Sequence, residues 1–417
     1  MKKFGILLIL VLVVFATSLT AKTVTVEFWT LSLSTFSDYI NAVIDSFEEA
    51  NPDIKINWVD VPYDAFQQKI IAAIASGKAP DLVNMNTPWA IDFVGQNALS
   101  PIDEYVTEVD KYLYLPNYWD VTVIDGKSYA IPWYLSPQIM LYNKQIFEDA
   151  GLDPENPPQT WDEIIEYSRI IKEKTGLYGY QPNIVAHIDL LEAGVPLIST
   201  DGKKAIINTP EALEKLKQYQ IAFKEALMPQ DLGGYQAGTQ KFAGGRIAMF
   251  PVGITMVKHV QINSPSIFEV SDVTSFPLGK GKKIPAGAMN VAVPYNAQNK
   301  AEAVKFGLWL TSPYWQTEFA KIATVVPSTK ISLEEDPWFL EKAGTDLNIK
   351  AQLVASQSMI YGFDQDELGK VIGPSKYSEF RRILNDYWIA TIKGEYTAEE
   401  ALELAEKECQ ELLDSSF

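Results

Sequence analysis

Aromatic rings beside neutral polar groups are the features of this sequence best suited to chemistry. Trp133 and Tyr134 are adjacent in the segment 129–143, which also contains hydroxyl and amide groups. An aromatic face can stack on the C–H face of a sugar ring while nearby polar groups bind the sugar hydroxyls. The alternative is that both aromatics belong to a core beside a kinked strand. These residues alone leave both interpretations open.

The segment 129–143 is apolar and β-prone, yet Pro132 and Pro137 interrupt it twice. Proline is unfavourable in a central strand because it cannot donate a hydrogen bond to the ladder. We therefore expect an extended segment that leaves one sheet, crosses between two lobes and enters a second sheet. Trp133 and Tyr134 are then predicted to lie at the crossing, where a ligand cleft would be.

Motifs of catalysis and metal binding are sparse. The sequence has no Gly-x-Ser-x-Gly, Walker or His-Glu-x-x-His pattern, and its only histidines and cysteine are His187, His259 and Cys409. Cys409 falls on the apolar stripe of a late helix, as a buried cysteine would. Carboxylates are plentiful but fall mostly on helix faces or in first turns, where the helix dipole favours them. We therefore predict no catalytic residue, no metal and no cofactor, with a secreted glycosidase as the disfavoured alternative.

Length and charge restrict the class of protein. A chain of 417 residues is too long for one ordinary core and predicts two or three domains. Its 47% hydrophobic content is that of a folded protein. The formal net charge of −18 argues against nucleic acid and anionic lipid as partners, because both favour basic protein surfaces.

The N-terminus has the layout of a secretory signal. Lys2 and Lys3 precede an apolar run at 6–15, and small and polar residues follow through Ala21. The run is shorter than the apolar segment that a membrane-spanning helix normally needs. We expect residues 1–21 to be a cleaved signal peptide, with Ala16 as the alternative cleavage site and an uncleaved anchor as the alternative fate. No cysteine lies nearby, so a periplasmic or secreted protein without a lipid-modified N-terminus is predicted.

Strand and helix patterns alternate near the N-terminus. The predicted order is a strand at 23–30, a helix from about 35, a strand at 54–59, a helix at 63–76 and a strand at 81–86. This order predicts a parallel sheet with helices on its faces. Ligands bind at the carboxyl ends of strands in such sheets, so Trp29, Thr30 and the segment 84–89 are candidate contacts.

A second α/β region follows, and the chain then returns. Thr160 and Glu163 have the spacing of a capping box at the start of a helix. The β-run at 287–294 is short enough to be a return crossing, and the C-terminal region reads as mostly helical. A chain that crosses between lobes more than once makes a hinge, which suits closure around a ligand.

Several short sequences, in this order and spacing, resemble those of one protein family. They include Val26-Glu-Phe-Trp-Thr30, Gly77-Lys-Ala-Pro-Asp81, Tyr129-Ala-Ile-Pro-Trp133, Pro158-Gln-Thr-Trp161 and Asn290-Val-Ala-Val-Pro294. Over nearly its whole mature length the chain is similar to the extracellular solute-binding proteins of sugar ABC importers, the family that includes maltose-binding protein.

The resemblance implies an α/β, type II-like periplasmic-binding-protein fold with two lobes, hinge crossings and a helical C-terminal region. The implied N-terminal lobe comprises 22–136 and 286–333, and the implied C-terminal lobe comprises 137–285 and 334–417. In this family the ligand is trapped when the lobes close and is delivered to an ABC permease in the membrane. We expect a monomer without a cofactor and without a nucleic-acid partner.

The predicted strand ends and crossings, together with the family resemblance, predict a set of ligand contacts. The set is Trp29, Thr30, Ser32, Asn86, Thr87, Trp89, Trp133, Tyr134, Asn183, Gly253, Thr255, Met289, Asn290 and Tyr361. Maltose-binding protein has acidic and basic groups in its first-lobe site, where this chain offers neutral polar residues. The resemblance therefore leaves the identity of the saccharide open.

These features predict a non-enzymatic binding protein that captures a carbohydrate by hinge closure for import. An oligosaccharide is favoured because the aromatics are many. The alternative is a binding protein for another solute, such as a polyamine, an amino acid or a metal ion. A polyamine site would need carboxylates among the aromatics, and that pattern is not clear in the sequence.

Overall fold

The computed structural model describes residues 23–232, 235–330, 333, 336–363 and 368–415, with the backbone alone at 63, 64, 235, 236, 360, 370, 374 and 375. The predicted signal peptide at 1–21 lies outside the described residues. The strands are β1 (Val24–Leu31), β2 (Ile54–Val61), β3 (Leu82–Asn86), β4 (Val123–Ile124), β5 (Lys127–Ser128), β6 (Ala130–Asn143), β7 (Tyr178–Tyr180), β8 (Leu197–Ile198), β9 (Ala205–Ile206), β10 (Ile247–Gly253), β11 (Ser271–Ser275), β12 (Ile284–Ala292), β13 (Val326–Pro327) and β14 (Gly362–Phe363).

Helices fill most of the intervals between strands, and short 3-10 turns lie at Ser34–Phe36 and Met359–Tyr361. The α-helices are α1 (Ser37–Ala50), α2 (Tyr63–Ala75), α3 (Thr87–Gly95), α4 (Glu108–Tyr112), α5 (Pro116–Asp120), α6 (Lys144–Asp149), α7 (Trp161–Thr175), α8 (Ala186–Ala193), α9 (Pro210–Lys224), α10 (Tyr235–Ala243), α11 (Thr255–Asn263), α12 (Pro265–Glu269), α13 (Lys300–Leu310), α14 (Pro313–Ile322), α15 (Pro337–Lys342), α16 (Leu347–Ser358), α17 (Leu368–Ile372), α18 (Pro374–Ile392) and α19 (Ala398–Asp414). The predicted β-α-β-α-β start and the mostly helical C-terminal region are confirmed.

The first sheet contains β2, β1, β3, β12 and the first half of β6, in that order. β1 runs parallel to β2 and β3, while β12 is antiparallel to both β3 and β6. The short strand β13 pairs with the other edge of β6. The carboxyl ends of β1, β2 and β3 therefore meet at one edge of this sheet, which is defined here as the N-terminal sheet.

The second sheet is built on the other half of β6. β10 pairs with β6 from Gln138 to Tyr142, β11 pairs with its opposite edge from Ile139 to Asn143, and β7 pairs with β10. This is defined here as the C-terminal sheet, and the elements that pack on each sheet form the N-terminal and C-terminal lobes. The predicted crossing of the segment 129–143 between two sheets is confirmed.

Both sheets are buried on both faces, as expected for α/β sheets covered by helices. In β1, Val26 and Phe28 pack into one core while Trp29 and Leu31 pack into another on the opposite face. The second half of β6 behaves in the same way, since its alternate residues join two different cores. An uninterrupted apolar strand that contains proline, such as β6, can therefore be the central strand that both sheets share.

A β-bulge lies at the point where β6 leaves the N-terminal sheet. Met289 pairs with Tyr134, whereas the next residue of β12, Asn290, pairs with Pro132, which leaves Trp133 as the extra residue. An extra residue of this kind breaks the alternation of side chains along a strand. Trp133 and Tyr134 therefore both contact the same ring, that of Phe319 in α14.

Candidate functional site

The carboxyl ends of the strands in the two sheets face each other along β6. In the N-terminal sheet, Asn86 at the end of β3 pairs with Met289, which pairs with Tyr134. In the C-terminal sheet, Gly253 at the end of β10 pairs with Gln138. Tyr134 and Gln138 are four residues apart in one strand, so the two edges are separated by about 13 Å at β6. A solute between the lobes can contact both edges at once.

The end of β1 is held rigidly by its neighbour β2. Thr30 is fully buried, and its hydroxyl donates to Asp60 Oδ1 at 2.7 Å and accepts from Trp58 Nε1 at 2.7 Å. Asp60 also accepts from the backbone N–H groups of Leu33 and Ser34. These contacts fix the turn around Ser32, an exposed residue with a φ of +52°.

Trp29 is turned away from the sheet edge and toward α2. The residue is 6% exposed, its indole N–H donates to Glu27 Oε1 at 2.6 Å, and the Lys69 ammonium lies 4.6 Å from its ring centroid. Phe66 of α2 belongs to the same core cluster. Trp29 therefore supports the sheet rather than presenting an open face at its edge.

The end of β3 continues directly into α3. Asn86 caps this helix, since its side chain accepts from the backbone N–H of Trp89 at 2.9 Å. Thr87 is buried and its hydroxyl accepts from Asn290 Nδ2 at 3.1 Å. Trp89 and Met289 are half-buried at the same edge. Trp89 stacks nearly parallel on Phe66, with ring centroids 5.8 Å apart, so one indole face is supported from behind.

Four predicted contacts are interior residues. Thr30, Thr87, Trp133 and Asn290 are each at most 1% exposed, which contradicts the prediction that they face a ligand cleft. The Thr30 hydroxyl joins β1 to β2, and the Thr87 hydroxyl with the Asn290 amide joins α3 to β12. For Trp133 the cause is the β-bulge, which directs its ring into the N-terminal core against Phe319, with centroids 5.6 Å apart.

Tyr134 is the half-buried member of the aromatic pair at the crossing. Its ring meets Phe319 and Trp133 edge to face, and burial raises the pKa of its hydroxyl, which keeps the phenol neutral. Gly253, at the end of β10, lies close to the side chain of Ser136 in β6: a Cβ added there would lie 2.9 Å from Ser136 Oγ. A larger residue at 253 would therefore require the Ser136 hydroxyl to move.

The remaining predicted contacts are dispersed. Asn183 is half-buried just after β7, and Thr255 is exposed at the first position of α11. Tyr361 is half-buried in the 3-10 turn that leads to β14, which pairs with the start of β12. The structure therefore brings Ser32, Asn86, Trp89 and Met289 to one sheet edge and Asn183 and Gly253 to the facing edge, while Thr255 and Tyr361 lie on flanking segments.

A small cavity lies at the strand ends of the C-terminal sheet. Its volume is about 10 Å³, and Gln138, Asn183, Pro251 and Phe276 bring β6, β7, β10 and β11 to its wall. Trp161, at the start of α7, also lines it, and its ring meets Phe276 edge to face. The predicted capping box formed by Thr160 and Glu163 fixes this end of α7 and is confirmed.

Charged side chains are buried at this cavity: Asp189 and Glu192 are in its wall, and Lys215 lies beside them. Asp189, Glu192 and Lys215 are each at most 6% exposed, and the Lys215 ammonium lies 3.6 Å from the centroid of the Trp161 ring. Burial raises the pKa of Asp189 to about 6, opposed by attraction to Lys215 and by the hydrogen bond from Tyr219. Burial likewise raises the pKa of Glu192 and lowers that of Lys215.

The two lobes also touch through helices. α3 of the N-terminal lobe packs against α17 and α18, and a Cβ added at Gly369 would lie 3.1 Å from Tyr377 and 3.3 Å from Ile91. Asp92 of α3 is half-buried, which raises its pKa, and Arg381 of α18 opposes this shift. α3 therefore carries both a strand-end aromatic, Trp89, and a contact to the opposite lobe.

His187 lies on the far side of this contact. Its ring meets Tyr377 edge to face at 6.2 Å, and neither ring nitrogen has a hydrogen-bond partner among the described residues. Burial, with repulsion from Arg381, lowers the pKa of His187 to about 3, so the imidazole is neutral at physiological pH. Sequence reasoning assigned no role to His187, Tyr377 or Arg381.

The buried charges of the C-terminal lobe were also missed by sequence reasoning. One signal was available, because Asp189 and Glu192 interrupt an apolar run with helical spacing and must lie on one helix face. Their convergence with Lys215 depends on the packing of α8 against α9, which the sequence pattern does not specify.

Metal and membrane signals are absent from the part of the chain that the structure describes. No group of three or more His, Cys, Asp or Glu side chains there could hold a metal ion. No helix there combines the length and the apolar character needed to cross a bilayer.

A family model for bacterial extracellular solute-binding proteins matches residues 32–317, which is well over half of the chain. The chain belongs to this family. The match includes β12 and the complete β6, the strand that the two sheets share. The predicted family is confirmed.

Relatives and solved structures agree with this assignment. A binding protein of Brucella abortus is 28% identical over 310 residues, which are 72% of this chain and 74% of that protein. The sn-glycerol-3-phosphate-binding periplasmic protein of Salmonella typhimurium is 26% identical over 294 residues, 66% of this chain and 64% of that protein. Both are binding proteins by name.

The fold is that of known two-lobe binding proteins. The cyclic α-maltosyl-1,6-maltose binding protein of Arthrobacter globiformis superimposes with a TM-score of 0.80 over 94% of this chain and 100% of its own, at 23% identity. An ABC transporter solute-binding protein of Thermotoga lettingae bound with α-D-tagatose gives a TM-score of 0.75 over 94% and 100%, at 24% identity. The predicted two-lobe fold is confirmed.

Proposed function

We propose that this protein is the carbohydrate-binding component of an ABC importer and that it captures a saccharide between its two lobes. One observation carries the proposal: polar and aromatic strand ends of two sheets face each other across a single shared strand, β6. A solute that touches both edges stabilises the closed arrangement, because the open arrangement offers it only one.

The choice of a carbohydrate rests on the half-buried aromatics and on neutral amides. Trp89 and Tyr134 are half-buried at the N-terminal edge, and Asn86 and Asn183 add amides on the two edges. Such a set can stack on and hydrogen-bond a sugar ring. Similar folds that hold maltotetraose and α-D-tagatose support this choice. We propose an oligosaccharide because there are more aromatic side chains than a single sugar ring would contact.

The proposed contacts are those predicted residues that reach the facing edges: Ser32, Asn86, Trp89, Tyr134, Asn183, Gly253 and Met289. We also propose the lobe boundaries predicted above, 22–136 with 286–333 and 137–285 with 334–417. The passage of β6 from one sheet to the other and the return of the chain to the N-terminal sheet at β12 support them, although Phe339 of α15 and Ile349 of α16 pack in the N-terminal core. We further propose that the protein is exported, acts as a monomer and catalyses no reaction.

A thermal-shift screen of the purified protein against mono- and oligosaccharides tests the proposal. A ligand that binds only the folded protein raises its melting temperature by mass action. We expect a rise with one saccharide class and no release of sugar products after prolonged incubation. A rise with glycerol phosphates, amino acids or metal ions alone would leave the fold assignment intact and reject the carbohydrate.

A further inference from the structure

A second cavity lies in the C-terminal lobe, behind the strand ends. It has a volume of about 200 Å³ and is bounded by the start of α7, the end of α8, the first half of α9 and the loop that precedes β12. Trp161 and Glu192 line both this cavity and the strand-end cavity of about 10 Å³. We define it as the α7–α9 cavity. Its volume is below the range of drug-sized ligand sites, so it suits a compound of few atoms.

The charges around this cavity do not balance. Its wall carries four carboxylates, Asp162, Glu192, Glu211 and Glu214, and two ammonium groups, Lys215 and Lys280. Three of the carboxylates are compensated. Glu214 forms an ion pair with Lys280, Asp162 accepts from Gln218 at 2.7 Å, and Glu211 lies in the first turn of α9, where the helix dipole favours it.

Glu192 is the carboxylate without compensation. It is 3% exposed, and its Oε2 atom has no hydrogen-bond partner among the described residues. The nearest buried cation, Lys215, is directed at the Trp161 ring and attracts both Glu192 and Asp189. One buried ammonium cannot neutralise two buried carboxylates, and an uncompensated buried charge is costly. Burial raises the pKa of Glu192, which is the expected response when no second cation is bound.

We propose that the α7–α9 cavity binds a small organic ammonium compound, whose cationic group pairs with Glu192. The Trp161 indole N–H is a second buried group without a hydrogen-bond partner among the described residues, and it can donate to a hydroxyl or carbonyl of the same compound. Anions are excluded by the excess of carboxylates in the wall. The site lies behind the sheet edge that faces the other lobe. It adjoins the strand-end cavity through Trp161 and Glu192, and its test uses no saccharide.

Putrescine and 1,4-butanediol are a suitable pair of probes, since they share a carbon chain and differ in ammonium versus hydroxyl ends. Isothermal titration at pH 8 in 0.15 M salt is expected to detect putrescine binding and no butanediol binding. Thermal shift should agree, because a ligand of the folded protein raises the melting temperature. The same behaviour with both compounds, or no binding of either, overturns the proposal without any use of variants.

Variants then locate the site. Glu192→Gln keeps the shape of the side chain and removes its charge, and it is expected to weaken putrescine binding at least tenfold. Glu148→Gln is the matched control, because it changes the net charge equally at an exposed position of α6 and should leave binding unchanged. Equal weakening in both variants indicates non-specific attraction to an acidic protein and rejects the site. Unchanged binding in Glu192→Gln places the cation elsewhere and also rejects it.

Discussion

The two facing sheet edges differ in the charge of the polar groups that they bury. At the N-terminal edge the buried polar side chains of Thr30, Thr87 and Asn290 are neutral, and their hydrogen bonds join β1 to β2 and α3 to β12. At the C-terminal edge the buried groups include Glu192 and Lys215, which carry charge. Neutral hydrogen bonds within a sheet make a rigid edge at little cost. Buried charges that outnumber their partners are costly, and such clusters are found where a site binds or titrates.

The two edges also differ in the buried groups that they leave without a partner. At the N-terminal edge the buried groups without a hydrogen-bond partner among the described residues are uncharged, such as Asn290 Oδ1 and Trp133 Nε1, and the exposed aromatic surface is limited to half-buried rings such as Trp89. The C-terminal edge instead keeps cavities and unpartnered carboxylate oxygens at and behind its strand ends. If both proposals hold, the rigid N-terminal edge is the platform on which a saccharide stacks, and the charged C-terminal lobe is the part that responds to ammonium compounds and to pH.

Trp133→Ala should have the largest effect, and the effect should be on folding. The ring is fully buried against Phe319, so its removal leaves a large cavity and should lower the free energy of unfolding by about 3–5 kcal/mol. Chemical denaturation measures this loss. Tyr314→Ala, at an exposed ring of the same helix as Phe319, is the control and should change stability little. A Trp133→Ala protein of normal stability would show that this edge is not a closed core.

Lys215→Met should be the most disruptive change at the charged edge. It keeps an apolar chain against Trp161 and leaves Asp189 and Glu192 without a cation, at a cost of about 3 kcal/mol at pH 8. The loss should shrink at pH 5, where the carboxylates gain protons. Lys280→Met removes an exposed ammonium from the same cavity wall and should change stability little. A loss equal at both pH values would mean that packing, not charge, explains it.

Trp89→Ala tests the platform at the N-terminal edge. Trp89 is half-buried and stacked on Phe66, so its loss should weaken saccharide binding by about 1–3 kcal/mol, a reduction in affinity of roughly 5- to 150-fold. Calorimetric titration with the saccharide found in the thermal-shift screen measures it. Trp338→Ala, at a half-buried tryptophan of α15, is the matched control and should bind normally. Equal affinities in both variants remove Trp89 from the site.

Gly369→Leu tests whether the contact between the lobes helps closure. A side chain there would press on Tyr377 and Ile91, separate α3 from α17, and weaken saccharide binding by about tenfold, or about 1.4 kcal/mol. Small-angle scattering should show a larger radius of gyration for the variant with ligand. Gly344→Leu adds the same side chain where nothing lies within 4 Å and serves as control. Unchanged scattering and affinity would mean that closure does not use this contact.

The smallest effect concerns pH and Asp189. Because its pKa is raised to about 6, the folded protein holds a proton that the unfolded chain releases near pH 4, and stability from this group falls as pH rises from about 4 to about 6. Asp189→Asn should flatten this fall by on the order of 1 kcal/mol.

His187 acts in the opposite direction. Its pKa is lowered to about 3, so stability from this group rises as pH increases from about 3 to about 6.5. His187→Phe should therefore make the fall with pH steeper, whereas Asp149→Asn, at an exposed site, should leave the curve unchanged. Denaturation across pH 4 to 7 compares the three proteins, and parallel curves would contradict both assignments.

Much of the fold could be predicted because its determinants are local. Pro132 and Pro137 indicated a strand that leaves one sheet for another, and β6 does so. Thr160 and Glu163 identified the start of α7. The position of the Trp133 ring could not be predicted in this way. It depends on a bulge opposite β12, and hence on pairing between segments more than 140 residues apart, for which the sequence carries no local sign.

The candidate site was predicted only in part for the same reason. Asn86 and Trp89 follow a strand whose end is visible in the sequence, so their position at a sheet edge could be predicted. Glu192 and Lys215 lie within helices, where a charged side chain normally points to solvent. Only the packing of α7, α8 and α9 buries them together, and that packing is a tertiary property.

The strand order has a consequence for the order in which the protein can be completed during synthesis. β12 lies between β3 and β6, yet it begins at Ile284, long after β6 ends at Asn143. Until the ribosome has made β12, the parallel strands of the N-terminal sheet cannot join β6, and both β3 and β6 present open edges. Such a chain remains incompletely folded until late in its synthesis. Open strand edges of this length make it prone to aggregation and available to chaperones that bind unfolded chains. A chain that must be threaded through a membrane before it folds would gain time from this delay.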